Sequence, residues 1–378
     1  MTGGRSPEIV VIGAGIAGAA IAAHLSEHAS VRLLEMEAQP GYHSTGRSAA
    51  VFCSFYGNAA VRALTRASRT FFVAPPSGFW SEPLVRPRAL LLIAREGQQP
   101  ALRRILDSTV PDDGVEEKSA LEATQLHPLL RTDGLRAAAC TERAADIDVH
   151  ALQRGYLRLF RSRGGVLTNN AQVVALERSS GHWLIRTNRD DLRAEIVVNA
   201  AGAWADMIAG IAGVRGIGLR SLKRTACLIP APPLEGLDRL PMLVDAEETF
   251  YMKPDAGALL LSPADETSVP PGDAQADDLD VAIAVERVEA ATTLTIERVT
   301  HKWAGLRSFV VDRSPVVGFD PVEAGFFWFG ALGGYGIQTA PALSRLAATI
   351  ALGMRPDESV IAQGVDASAL SPRRLAVS

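Results

Sequence analysis

The sequence predicts an α/β fold whose parallel sheet binds a dinucleotide. Three observations predict it: an apolar strand runs into a glycine-rich turn, a helix-like run begins where the glycines end, and a second strand closes on an acid. The first strand covers Ile9 to Ile12, and the turn is Gly13-Ala14-Gly15-Ile16-Ala17-Gly18. Gly13 lets the chain reverse tightly, Gly15 removes the side chain that would keep a pyrophosphate off the backbone, and Gly18 lets helix and strand pack closely. The helix, read as Ile16 to His28, offers free N–H groups and a partial positive charge to the anion. Val31 to Leu34 form the next strand, and Glu35 at its end is placed to accept hydrogen bonds from ribose hydroxyls, with Met36 beside it.

A length of 378 residues suggests two domains, or one large domain with a split insertion. With 47% hydrophobic and 21% charged residues the chain can build an ordinary globular core, and a net charge of −4 supplies no basic face for nucleic acid. No apolar run is long enough to span a membrane, and Met1 to Pro7 read as a short polar lead, so a cytoplasmic protein is expected. Cys53, Cys140 and Cys227 are odd in number and far apart, which argues against a disulfide framework or a metal site and for buried small hydrophobes.

Further along, the polar segment from Gln39 to Ser48 reads as a loop feeding a helix through the small residues from Ala49. Pro83 and Pro87 precede an apolar strand at Ala89 to Ala94, which places a boundary near residue 80. Val149, Leu152, Tyr156, Leu159 and Phe160 fall near helical spacing, with Asp148 as cap and Gly164-Gly165 as stop. A hairpin follows, Val173 to Glu177 and His182 to Thr187 around Ser179-Ser180-Gly181. Ile196 to Asn199 form a buried strand that ends in Ala200, Ala201, Gly202, Ala203 and Trp204, small residues that suit either a bulky ligand or a close-packed sheet corner. Residues 205 to 300 are richer in proline and acid, with a loop from Pro263 to Asp280 and a helix over Val281 to Thr292. Gly325 to Phe329 read as a strand, Gly333-Gly334-Tyr335-Gly336 as a glycine loop, and Ala340 to Leu352 as a helix capped by Thr339. Placed against a flavin, that helix end would stabilise the charge that develops on reduction.

The fingerprint with Glu35, the Val-Asn-Ala-Ala-Gly-Ala-Trp stretch at 198 to 204 and the glycine loop at 333 to 336 together resemble the FAD-dependent D-amino acid oxidase superfamily. Within it the chain is similar to the bacterial D-arginine dehydrogenases through Pro40 to Ala50, Phe250 to Asp255, Trp303 to Phe309 and Leu370 to Leu375. The resemblance implies a Rossmann-like FAD-binding domain assembled from residues 1–80, 146–215 and 302–378, and an antiparallel-sheet substrate domain from 81–145 and 216–301. It implies non-covalent FAD, a small amino acid as substrate, oxygen or a quinone as electron acceptor, and oxidation of a D-amino acid to a 2-oxo acid and ammonia. Carried over by position, Tyr56, Arg224, Tyr251 and Arg307 meet the substrate carboxylate and the carbonyl of Gly334 meets the amine. Lys223 is a rival for the place of Arg224. Cofactor contacts are expected from Gly13 to Gly18, Glu35, Met36, Ser44, Thr45, Arg47, Ser48, Ala49, Ala50, Val173, Ala201, Gly202, Trp204, Gly305, Gly333 to Gly336, Ile337 and Gln338. His43 is expected to pack or hydrogen-bond near the cofactor rather than attach it.

The chain departs from that group where the substrate side chain is read. Leu90 stands where the D-arginine dehydrogenases carry an acid, and Val51 falls at or beside the place of a loop histidine. A guanidinium would face apolar groups there, and burying it unpaired costs several kcal/mol, whereas each buried methylene gains about 0.8 kcal/mol. Apolar or aromatic D-amino acids are therefore expected over D-arginine, with N-methyl amino acids or 2-hydroxy acids as the alternative.

Overall fold

The computed structural model describes residues 8–375, so the polar lead Met1 to Pro7 lies outside the described residues. Its organising element is a six-stranded sheet in the order Val316–Phe319, Phe326–Gly330, Ile196–Asn199, Glu8–Ile12, Ser30–Leu34, Val166–Thr168. All its neighbours run parallel except the first pair. Ile9 to Ile12 are apolar on both faces because both are covered: Ile9 and Val11 face the helix layer, and Val10 and Ile12 face the small sheet that carries Leu176, Trp183 and Ile185 and the short helix Ala205–Ile211. The helices Ile16–Leu25, Val149–Ser162 and Gly336–Ala351 pack together on this sheet in one core. Register aligns Ile12 with Leu34 and with Asn199, and Asn199 with Trp328, so the carboxyl ends of four strands open at one edge. Ligands bind at that edge in open α/β sheets.

A nine-stranded sheet makes the second layer. It is antiparallel except where Met242–Asp245 runs parallel to Leu90–Arg95, so the expected antiparallel sheet carries one parallel pair. Its long strand Arg220–Pro230 pairs with His301–Phe309 over the full length of the latter. Small three-stranded sheets complete the fold: one of Val173–Ser179, His182–Thr187 and Asp191–Ala194, the other of Val51–Phe52, Ala145–Ile147 and Val85–Pro87. In the hairpin, Ser180 and Gly181 both take positive φ, the turn geometry that suits the twist of two-residue hairpin loops.

Several expected boundaries move. The helix sought from Ala49 begins at Ala59, where the Asn58 side chain accepts from the Val61 N–H; Val51–Phe52 instead pair as a strand. Asp277, not a residue near Val281, caps the helix Asp278–Ala291. The last long helix starts at Gly336 rather than after Thr339: the Thr339 N–H already bonds the Tyr335 carbonyl at 3.1 Å, and its hydroxyl bonds the same oxygen at 2.9 Å. The helix end therefore lies on the glycine loop itself. All three cysteines are free and buried, and burial pushes Cys53 up to about 12 and Cys227 up to about 11, so neither is a thiolate at neutral pH. No helix among the described residues is long and apolar enough to cross a membrane.

Candidate active site

The glycine turn is fixed by contacts that exclude side chains. Gly13 has φ +96°, and a Cβ on Gly18 would lie 1.7 Å from the Gly13 carbonyl oxygen. Gly15 and Ala17 line a long cleft together with Glu35, Met36, Ser44, Thr45, Val173, Ala201, Gly202 and Trp204. The turn is less open than expected, because Ile16 N donates to Thr45 Oγ1 at 3.0 Å and Ala14 N to Glu35 Oε2 at 2.8 Å. Glu35 also accepts from Glu37 N at 3.0 Å, and burial raises its carboxyl pKa against those two backbone donors. A carboxylate has about four acceptor sites, so Glu35, which lines the cleft, keeps acceptor capacity beyond these two bonds.

The segment after Met36 closes one wall of the cleft. Ser44 Oγ donates to the Leu306 carbonyl at 2.6 Å, tying this loop to the strand His301–Phe309. The Arg47 guanidinium is held by Asp273 and by the carbonyls of Ala274 and Ala304, so Arg47 lines the cleft, as expected, while its head group braces the segment before the helix Asp278–Ala291. Ser48 Oγ accepts from Ala50 N at 3.2 Å. His43 Nε2 lies 2.9 Å from Glu37 Oε1, and its ring packs 4.6 Å from that of Trp204. Gly305 lines the cleft against the Arg47 stem. A dinucleotide with a bulky ring fits this donor set: a glycine turn under a helix end, a ribose-facing acid and a floor of small residues.

A second, larger cavity of about 960 Å³ adjoins it, and Ser48, Ala49, Arg224, Tyr251, Arg307, Gly334 and Ile337 line both. Register explains the convergence. Arg224 pairs opposite Gly305 and Leu222 opposite Arg307, so the two arginines project from the same sheet face. Lys223, one residue away, must point to the other face, where its Nζ sits 2.7 Å from Asp280. That removes it as a rival to Arg224. The glycine loop is stitched to the same strand by Gly333 N donating to Ser308 O at 2.9 Å. A Cβ on Gly334 would meet Arg307 Cζ at 2.7 Å, so only glycine lets this backbone lie against the guanidinium.

The two arginines are not equally available. Arg224 donates through Nε to the Asp265 carbonyl at 2.9 Å and through Nη2 to Glu266 Oε1 at 3.3 Å. Arg307 has no carboxylate within salt-bridge distance among the described residues; its Nη1 donates only to the Tyr56 hydroxyl at 3.2 Å. Burial pushes Tyr56 up to about 12, so it is a neutral phenol that can donate in turn. A half-buried cation that bonds a phenol and has no carboxylate within salt-bridge distance among the described residues is a place for an anionic ligand.

The remaining expected residues divide between the two spaces. Gly333, Gly336 and Ile337 line the cleft, whereas Ala50, Tyr335 and Gln338, expected at the cofactor, line only the second cavity. Gln338 Oε1 accepts from Cys53 N at 3.0 Å, which fixes its orientation. Ala14 and Gly18 support the turn without lining either space. Val51 and Leu90 line the second cavity with Leu92, Met242, Val244 and Phe250. Sequence reasoning missed Glu248, which lines the same cavity from a turn with φ +54°. Glu247-Glu248-Thr249 reads as an ordinary polar turn, and no pattern marks it.

The family profile described as FAD dependent oxidoreductase matches residues 8–350. Among characterised proteins, the chain is 26% identical over 303 residues to the FAD-dependent oxidoreductase domain-containing protein 1 of Bos taurus, covering 70% of this chain and 61% of that one. It is 28% identical over 152 residues to the mitochondrial dimethylglycine dehydrogenase of Rattus norvegicus, covering 39% of this chain. The matched segments span 61% and 18% of the lengths of these relatives. In fold it is similar to L-proline dehydrogenase from P. horikoshii, with TM-score 0.82, 19% identity and 98% of each chain covered. Glycine oxidase from Geobacillus kaustophilus superposes with TM-score 0.78 at 20% identity, over 93% of this chain and 96% of that one.

Proposed function

The chain belongs to the FAD dependent oxidoreductase family, and on that premise we propose that it oxidises free D-amino acids to 2-oxo acids and ammonia. FAD, held without a covalent bond by the Gly13 turn, Glu35 and the Gly333 loop, supplies the acceptor for the hydride that leaves the substrate Cα. The observation that carries the reading is the Arg307 guanidinium at the junction of the cleft and the second cavity, which among the described residues has no carboxylate within salt-bridge distance. A carboxylate takes its fork through parallel charge-assisted hydrogen bonds, with Tyr56, Tyr251 and the free N–H groups of Arg224 around it. The Gly334 backbone lies against the same guanidinium, and its carbonyl accepts from the substrate amine. Two fixed anchors leave one hydrogen of Cα directed into the cleft, so the site selects one hand by geometry. The likeness of Pro40 to Ala50 and Trp303 to Phe309 to the D-arginine dehydrogenases favours the D hand.

Val51, Leu90, Leu92, Met242, Val244 and Phe250 line the cavity beyond the anchors. These groups favour leucine, methionine or phenylalanine side chains over a guanidinium. A second reading is oxidation of an N-methyl amino acid, favoured by the likeness to dimethylglycine dehydrogenase; a 2-hydroxy acid would meet the same carboxylate anchors. Anaerobic mixing of the yellow protein with paired D- and L-amino acids tests the proposal through bleaching of the flavin absorbance. Bleaching by D-leucine or D-methionine with release of ammonia is expected. Bleaching only by L-forms, by N-methyl substrates with release of methylamine, or by hydroxy acids would overturn it.

A further inference from the structure

The second cavity is larger than a leucine or methionine side chain needs. At about 960 Å³ it lies at the top of the range, roughly 300–1,000 Å³, of pockets that enclose drug-sized ligands, while Arg307 stands where it joins the cleft. Sheet register shows where the remaining space runs. Tyr251 pairs with Val244, and Val244 with Leu92, so these three side chains share one sheet face and form a row across three neighbouring strands. Strands lie about 4.8 Å apart, so the row from Tyr251 to Leu92 is about 10 Å long. Met242 and Leu90, paired two residues back, widen it, and all five residues line the cavity. No charged side chain belongs to this floor: Glu248, Glu266 and Arg313 line the cavity from turns outside these strands.

The helix Gln99–Asp107 covers the far end of the row. Beyond Leu92 the row continues to Ala139, which is fully buried in one cluster with Ala101 and Leu102 of that helix. Ala101, Arg104, Ile105 and Ser108 line the cavity at the spacing of one helix face. Arg104 is exposed, whereas Ala101 is 5% exposed and Ile105 half-buried, both packed with Leu90, Leu92 and Met242. An alanine at this buried position leaves open the space that a larger side chain would fill.

We infer that this row is the floor of a side-chain channel, and that the substrate carries an extended, unbranched apolar chain, longer than that of leucine or methionine, which runs from the anchor to the helix Gln99–Asp107, where Ala101 sets its length limit. The inference rests on the carboxylate-anchor part of the proposed function and not on the hand of the substrate or the fate of its amine. Each methylene moved from water onto such a floor tightens binding about fourfold.

The test is calorimetric titration of the flavin-loaded protein with butyrate, hexanoate and octanoate, straight-chain carboxylates without an amine. Octanoate is expected to bind on the order of a hundredfold more tightly than butyrate, with hexanoate between them. Ala101→Leu narrows the far end and should cut that ratio at least about tenfold; Ile105→Phe, which enlarges a half-buried side chain rather than a buried one, should do the same as the second variant. Octanoate binding within about threefold of butyrate, or a ratio unchanged in both variants, would overturn the inference alone. No binding of any of the three carboxylates by wild type would overturn it together with the carboxylate anchor.

Discussion

Replacing Arg307 separates the anchor from the fold. Two charge-assisted hydrogen bonds from its fork to a substrate carboxylate are each worth about 1.5–3 kcal/mol, so losing both costs at least about 3 kcal/mol, or on the order of a hundredfold in kcat/KM. Arg307→Met should show that loss in kcat/KM while retaining its flavin. Arg307→Lys keeps the charge but not the planar fork and should fall between the two. Stability should move the other way. Arg307 has no carboxylate within salt-bridge distance among the described residues, so an apolar side chain of similar length relieves a partly desolvated, unpaired charge, and Arg307→Met should unfold at a Tm no lower than wild type. The assays are steady-state kcat/KM, flavin content after gel filtration and a thermal melt. An Arg307→Met enzyme that kept more than about a third of wild-type kcat/KM would refute the anchor. One whose activity and Tm fell together would make Arg307 a structural residue.

Gly334→Ala places a Cβ 2.7 Å from Arg307 Cζ and Nη1, so the guanidinium must move; kcat/KM should drop at least about tenfold with flavin still bound, and normal kinetics would refute the packing argument. Leu90→Glu adds an acid to the apolar wall and should raise the D-arginine to D-leucine ratio of kcat/KM at least about tenfold, a shift that would be absent if side chains are read elsewhere. His127 is fully buried, its two ring nitrogens have no hydrogen-bond partner among the described residues, and burial lowers its pKa to about 4. A depressed folded value means its stability contribution is complete above the ordinary value of 6.5 and is lost as pH falls toward 4, by up to about 3 kcal/mol. His127→Leu should therefore flatten the acid side of a Tm against pH curve, and an unchanged acid limb would refute the assignment.

The nucleotide-binding half was legible because its signals are local. Period and glycine spacing mark Ile9 to Glu35, and the Asp148 cap marks its helix, since each depends on neighbours within a few residues. The Thr339 cap failed for a local reason: threonine before a proline-containing run imitates a helix start, yet the Tyr335 carbonyl already accepts two bonds from Thr339, one turn later. The division of the site between two spaces was not legible. Whether Gln338 faces the cleft or the second cavity depends on the Cys53 backbone, 285 positions away, and Arg47 is claimed by a loop 226 positions on. Glu248 lies beyond sequence reading altogether, because what aims it is a positive φ imposed by Asp245.

The pairing of Arg220–Pro230 with His301–Phe309 does more than bring the arginines together. Arg224 and Ala226 face the site, and the residues between and before them bind elsewhere: Lys223 to Asp280, and Thr225 to Asp265 at 2.6 Å through its N–H. The Asp265 carbonyl meanwhile holds Arg224 Nε, so one acidic loop fixes both faces of the strand at neighbouring positions. Arg224 is thus held by two acceptors, whereas Arg307 donates to the Tyr56 hydroxyl and has no carboxylate within salt-bridge distance among the described residues. That asymmetry gives them different work. Under the proposed function Arg224 supports the electrostatic field and Arg307 takes the carboxylate, while the Gly334 backbone that lies against Arg307 supplies the amine acceptor. An anchor and an acceptor fixed to one strand and one loop, joined by the Gly333 to Ser308 bond, move as a unit, so the distance between them holds when the substrate side chain changes. Side-chain preference can then vary at Val51, Leu90 or Glu248 without disturbing the geometry at Cα.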